Sequence, residues 1–326
     1  MRAISFDEFG GPEVLKIVEV PKPCLRPGDL LVKVHAAGVN RADLNQRKGA
    51  YGRADFGDST LMGLEMAGEV VAVAGDVTGF AIGDRVMGIV GGGGYAEYAR
   101  IPSGMAMHVP SALSFVEAAA IPEAFITAHE ALLHLGALKP GECALIHGGA
   151  GGIGSAAVQL AGRVTDKVFF TSSAARMAQV GTLVSAHGID YAMQDFVAVL
   201  HEATGGNGVD VILDVIGEPN FERNCKALAE GGRLVQVGLM GGNGEARLSM
   251  RQLLFRRLRI MGTVMKSQSQ EAKVAMTSRF SAMWMDMMAD GGMVAVIDRT
   301  LPLDQAAQAH AAMESGGLFG KIILAP

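Results

Sequence analysis

The chain has 326 residues, 49% hydrophobic and 19% charged, with 28 basic against 33 acidic side chains and a net charge of -5. That is about twice a common domain length, with apolar material for two packed cores, which excludes a disordered chain. The acid excess offers no field to hold a phosphate backbone and argues against a nucleic-acid partner.

The first hundred residues carry short β-branched runs at 15–20, 30–39, 68–75 and 83–90, bounded by Gly, Pro and Asp. They predict a compact, barrel-like β domain. The tetraglycine 91–94 reads as a hairpin, because no helix follows it to make a phosphate cradle. From about Ser114 the pattern alternates between helix and strand, with apolar strands at 143–147, 167–171, 209–217, 233–238 and 259–263. Continuous apolar strands separated by helical segments predict a parallel, doubly wound α/β sheet covered on both faces. A helix at about 270–289 and a last strand at 321–324 should rejoin the first domain, since the sheet is complete by Thr263. The expected division is therefore 1–119 with 267–326, and 120–266. Methionines of 282–293 cluster on that helix and read as core or interface filling.

The strongest motif is CALIHGGAGGIGSAAVQLA, a buried strand entering a glycine turn and then a helix, with Gly149, Gly151 and Gly154 in GxGxxG spacing. Gly149 is expected to make the turn. Gly151 and Gly152 clear the backbone for a pyrophosphate, Gly154 allows close helix packing, and the helix N-terminus offers free N–H groups to the anion. Where the second strand ends, an NAD-binding chain would place an acid on the ribose, and here the segment reads FFTSSAAR. The hydroxyls of Ser172 and Ser173 with the Arg176 guanidinium suit a 2′-phosphate instead, which points to NADPH.

Further segments carry a family resemblance: VNRADLNQRKGAY (39–51), GLEMAGEVVAVAGDVTGFAIGDRVMG (63–88), AAAIPEAFITAHEAL (118–132), LDVIG, RLVQVGLMGG and the terminal GKIIL. Together with the glycine turn they resemble the zinc-free quinone oxidoreductases of the medium-chain dehydrogenase/reductase superfamily, nearest the p53-inducible type. The resemblance implies a GroES-like catalytic domain beside a Rossmann domain. It places Asn40, Asp43, Gln46 and Tyr51 at the nicotinamide and substrate, with Tyr51 hydrogen-bonded to the carbonyl oxygen. It adds Thr127, Ile153 and Tyr191, then Gly238, Leu239, Met240 and Lys321, to the cofactor contacts. The residues themselves also allow a plainer role for Asn40 and Asp43, as a helix cap, and Asp214, at the end of a strand, reads as structural.

The zinc alcohol dehydrogenases of the superfamily place a cysteine where this chain has Asn40 and a His-Glu pair where it has Leu64-Glu65. They also carry a four-cysteine lobe that has no counterpart here. A tetrahedral zinc site is not expected. His129 and His134, five apart, do not share a helix face and read as surface or half-buried residues. Without a Lewis acid the substrate must accept hydride readily, as a quinone does. A zinc-free enone reductase is the alternative enzyme, and a noncatalytic crystallin-like or RNA-binding relative is the alternative of another kind. The apolar edge at 259–265 predicts pairing with a second copy into a homodimer. Cys24, Cys143 and Cys225 suit neither a CxxC pair nor a disulfide framework, so a reducing cytoplasmic setting is expected. No stretch reads as a signal peptide or a membrane span.

Overall fold

In the computed structural model, which describes residues 1–50, 61–242 and 244–326, the early β-branched runs form strands β1 Arg2–Ser5, β2 Lys16–Glu19, β3 Asp29–Gly38, β4 Glu65–Val73, β5 Arg85–Ile89, β6 Tyr98–Pro102 and β7 Ala106–His108. Leu30, Val32, Val34 and Ala36 of β3 are all buried, the period-two pattern of a strand with one face in a core. Strand β3 pairs antiparallel with both β4 and β6. Helix α1 Arg41–Arg47 follows β3, and α2 Phe115–Ala118 and α3 Pro122–His129 follow β7. The tetraglycine forms no hairpin, contrary to its sequence reading. Gly93 N–H bonds Leu61 and Met62 carbonyls and Gly94 N–H bonds that of Gly63, while β5 pairs with β4 and β7. Backbone carbonyls of 61–63 rather than a facing strand thus take up the glycine segment.

The alternating region comprises β8 Ala144–Ile146, α4 Gly152–Gly162, β9 Val168–Ser172, α5 Ala174–Gly181, β10 His187–Asp190, α6 Phe196–Ala203, β11 Val209–Asp214, α7 Glu218–Ala227, β12 Leu228–Gln236, α8 Met250–Phe255 and β13 Arg259–Gly262. Its strands lie in the order β10-β9-β8-β11-β12-β13, with every pair parallel. The order reverses beside β8, which makes the ends of β8 and β11 the switch point where ligands bind in such sheets. Leu145, Phe169, Ile189, Ile212 and Leu234 pack into one buried cluster with residues of the covering helices.

The chain ends with α9 Gln270–Ala289, β14 Ile297–Pro302, α10 Ala306–Ser315 and β15 Lys321–Ala325. Strand β15 pairs antiparallel with β3 and parallel with β14. Two units result, Met1–Ile126 with Met265–Pro326, and Thr127–Val264. Of the methionine-rich segment, Trp284, Met288 and Met293 are buried and Met283 faces solvent. Between His129 and His134 the helix widens into a π turn over Glu130–Leu135, where the His134 ring lies 3.7 Å from the Glu130 carboxylate.

The turn between β8 and α4 leaves no room at Gly154. A Cβ there would strike the Gly148 carbonyl oxygen and lie 2.8 Å from Gly149 Cα. Gly154→Ala should lower stability by about 1–3 kcal/mol through overpacking. The check is the denaturant midpoint, and an unchanged value rules the contact out.

Candidate active site

In the Thr127–Val264 unit the residues singled out by sequence collect at the carboxyl ends of the parallel strands. Gly149, Gly151, Gly152, Ile153 and Gly154 follow β8, and Ser172, Ser173 and Arg176 lie at and after the end of β9. Tyr191 follows β10, and Gly238, Leu239 and Met240 follow β12. The left-handed residue of the glycine turn is Gly148, at φ +70°. Gly149 was expected in that role, yet it serves packing instead, since a Cβ there would sit 2.8 Å from the Phe170 ring. Helix α4 has neither a side-chain cap nor an acid in its first turn, so its leading N–H groups are left for an anion. Ser172 is buried, whereas Arg176 is half-buried and donates to Gln179 Oε1 at 3.0 Å. Tyr191, Leu239 and Met240 are exposed. Thr127 is buried with no partner for its hydroxyl. This cradle, closed to Cβ atoms at Gly149 and Gly154 and lined by backbone donors, fits a dinucleotide.

In the other unit, Asn40 caps α1, its N–H donating to Asp43 Oδ2 at 2.8 Å. Its side chain points elsewhere: Nδ2 donates to Glu65 Oε1 at 2.8 Å, and Oδ1 accepts from Lys321 Nζ at 2.6 Å. Lys321 also forms a close ion pair with Glu65, both side chains being buried, and Glu65 Oε2 accepts the Glu123 N–H at 2.8 Å. Lys321, expected beside the cofactor, is therefore held by Asn40 and Glu65. Asp43 Oδ2 also accepts the Tyr95 hydroxyl at 2.9 Å, while Asp43 Oδ1 is buried without a partner. Tyr95 stands 3.5 Å from His310, and His310 stands 3.4 Å from Arg47. Because a guanidinium only donates, His310 Nδ1 must accept, which puts the ring proton on the nitrogen facing Tyr95. Gln46 Oε1 accepts from Lys266 Nζ at 2.8 Å. Tyr51 lies outside the described residues.

The environment shifts several of these groups. Burial drives the Asp43 carboxyl up to about 6, against hydrogen bonds from Asn40 and Tyr95. Burial, then the neighbouring Glu65 charge, drives Glu123 up to about 8. His310 falls to about 3, from burial and then Arg47, and burial also lowers Lys266. A half-buried acid that keeps its proton at neutral pH is able to donate one.

Sequence reasoning passed over Tyr95, Glu123, Lys266 and His310 in this unit, and His147, Thr171 and Asn224 in the other. The acid inside the apolar run GLEMAG was the available signal for Glu65, since a carboxylate in a buried strand demands partners. Among the described residues, no group of three or more His, Cys, Asp and Glu side chains is arranged to hold a metal. With Glu65 already taken up by an ammonium and an amide, the donor set does not fit a tetrahedral zinc.

A GroES-like domain joined to a parallel dinucleotide sheet defines an oxidoreductase of the medium-chain dehydrogenase/reductase superfamily. Residues 26–111 match the family described as alcohol dehydrogenase GroES-like domain, and residues 184–324 match that described as zinc-binding dehydrogenase. The chain is 34% identical to the quinone oxidoreductase of Lama guanicoe over 328 residues, covering 99% of this chain and 97% of that one. It belongs to the quinone oxidoreductase family. The quinone oxidoreductase structure from Coxiella burnetii superimposes with a TM-score of 0.83 at 30% identity, covering 100% of this chain and 99% of that one. A mycobacterial protein solved in complex with NADPH gives a TM-score of 0.88 at 30% identity, with both chains covered completely.

Around Glu123 stand Glu65 on β4, Asp43 on α1, Lys321 on β15 and Lys273 on α9. Between the ordinary carboxylate range and about 8, the folded protein holds a proton on Glu123 that the unfolded chain has released, so this group lowers stability as pH rises. Glu123→Gln stays neutral, and its melting temperature should gain on that of wild type between about pH 5 and about pH 9. Parallel melting curves across that range would refute the shift.

Proposed function

We propose that the protein reduces quinones with NADPH and without a metal. The observation that carries this reading is the closed Asn40–Glu65–Lys321 set, which stands where zinc relatives keep ligands and offers no Lewis acid. A quinone accepts hydride unaided, because reduction yields an aromatic hydroquinone. The full-length likeness to quinone oxidoreductases supports the substrate class. The bound reduced nicotinamide supplies the hydride. The chain's own task is orientation: the N–H groups after Gly148 take the pyrophosphate, and Ser172, Ser173 and Arg176 take the 2′-phosphate. Thr127, Tyr191, Gly238, Leu239 and Met240 flank the dinucleotide. Asn40, Asp43 and Gln46 are the candidates to contact substrate, with Lys321 fixing the Asn40 amide. The free cysteines suit a reducing cytoplasm, and among the described residues no helix is long and apolar enough to cross a membrane.

Mixing the protein with NADPH and a panel of quinones and enones, followed by nucleotide absorbance, tests the reading. Quinone-dependent oxidation is expected. Turnover with enones alone would assign the enone reductase alternative, and no turnover would favour a noncatalytic relative. NADPH should bind more tightly than NADH, and Arg176→Ala should narrow the difference by about 1.5–3 kcal/mol, the worth of a charged hydrogen bond. Equal dissociation constants in the wild type would refute the cofactor choice.

Among the described residues β13 (Arg259–Gly262) is the edge strand of its sheet, and this supports a homodimer, because a strand edge invites a second copy across a two-fold axis. Exposed Met250, Leu254 and Phe255 of α8 add apolar surface in the preceding segment. Light scattering at micromolar concentration should give twice the chain mass, and a monomer would overturn the assembly.

A further inference from the structure

His147 directly follows the buried strand β8 that leads into the glycine turn, with no exposure and no part in the chemistry described above. Its two ring nitrogens are both engaged. Nε2 lies 2.8 Å from Asn224 Oδ1, and Nδ1 lies 3.1 Å from Thr171 Oγ1. Asn224 Nδ2 donates to Asp214 Oδ2 at 2.7 Å, and Thr171 Oγ1 accepts the Gly148 N–H at 3.1 Å. Asp214, Asn224 and His147 are fully buried and Thr171 nearly so.

The directions along this line follow from its ends. A carboxylate only accepts, so the Asn224 amide turns its nitrogen to Asp214 and its oxygen to His147. The His147 proton must then sit on Nε2, which leaves a lone pair on Nδ1. Thr171 gives its single hydroxyl hydrogen to that lone pair, and its oxygen is free to accept from Gly148. Burial lowers the His147 pKa, against the Asp214 charge and the Asn224 hydrogen bond, and so the ring stays neutral. At the far end, Asp214 Oδ1 accepts the N–H groups of Ile216 at 2.5 Å and Gly217 at 3.2 Å. One directed chain thus joins the loop after β11 to the loop after β8, the two loops at the switch point of the sheet. It terminates on Gly148, the residue in the left-handed region.

We propose that His147, acting through Thr171, is a positioning residue of the dinucleotide site: its Nε2–H tautomer holds the Gly148 N–H and so fixes the turn that presents Gly149–Gly154 to a pyrophosphate. The role rests on the reading of that turn as the dinucleotide site. A side chain that only filled the core would have no reason to end on the backbone donor of the turn.

Thr171→Val keeps shape and removes the hydroxyl, leaving His147 Nδ1 and the Gly148 N–H unpaired, while Thr171→Ser restores it. Dissociation constants for NADPH and for 2′-AMP, which carries the ribose phosphate and no pyrophosphate, separate local positioning from general damage. NADPH binding should weaken by about tenfold or more in Thr171→Val, 2′-AMP binding should stay within about twofold, and the serine variant should return NADPH affinity to near wild type. Nitrogen NMR of the histidines in the ligand-free wild type, independent of any variant, should show His147 with Nε2 protonated and Nδ1 bare. Wild-type NADPH affinity in Thr171→Val, equal losses for both ligands, or an Nδ1–H tautomer overturns the role. Wild-type protein that binds no NADPH overturns the dinucleotide reading itself, and the positioning role with it.

Discussion

The Glu65 carboxylate ties three separate segments of the first unit together. A buried charge costs several kcal/mol unless it is paired and hydrogen-bonded on each side. Glu65 meets that demand with Lys321 and Asn40 on one oxygen and the Glu123 N–H on the other. Those donors belong to β15, to the start of α1 and to the start of α3. Satisfying one carboxylate therefore fixes the last strand, the helix after β3 and the first turn of a third element together. Asp43 extends the arrangement, because the Asn40 N–H that it accepts belongs to the residue whose side chain closes on Glu65. Of the roles open to Asn40 and Asp43, the helix cap is the one this geometry shows. The backbone of Asn40 and the carboxylate of Asp43 make the helix start, and the Asn40 amide is left for the ion pair.

Strands with strong apolar alternation were legible in the sequence, β3 above all, since its inward positions are uniformly aliphatic. Strands β10 and β14 were not. Strand β10 consists of His187, Gly188, Ile189 and Asp190, and β14 carries Asp298, Arg299 and Pro302. Each is decided by a neighbour, β9 for the one and β15 for the other, and no local propensity announces it. The glycine motif was readable as a phosphate cradle because strand, turn and helix are contiguous. Which glycine turns left-handed was not readable, because the hydroxyl that accepts from Gly148 lies 23 residues further on. The Glu65 set was hidden for the same reason, with partners 25, 58 and 256 residues away.

Both units solve one problem in related ways. Each has a fully buried carboxylate, Glu65 or Asp214, at a point where several segments end. Glu65 is met by a cation, an amide and a backbone N–H. Asp214 is met by an amide and two backbone N–H groups, with no cation in hydrogen-bond contact among the described residues. The difference suits their surroundings. Glu65 shares its region with Asp43 and Glu123, where a cation limits mutual repulsion, whereas neutral amide dipoles, from Asn224 and the backbone, serve Asp214 at the open ends of a parallel sheet.

Against such complete satisfaction, the few buried polar atoms left without partners stand out. A buried donor or acceptor with no partner costs about 1–3 kcal/mol, so a fold retains one only where something else is gained. Two of those atoms, Asp43 Oδ1 and Thr127 Oγ1, belong to residues that the sequence alone assigned to substrate or cofactor. Asp43 is also the carboxyl whose burial lifts it to about 6, and its other oxygen is fully committed to Asn40 and Tyr95. The spare oxygen is then the only part of that group able to respond to a change nearby. In the His147 line, by contrast, every polar atom is matched. The matched line behaves as scaffold for the turn it ends on, whereas Asp43 Oδ1 and Thr127 Oγ1 keep hydrogen-bonding capacity that the fold itself leaves unused.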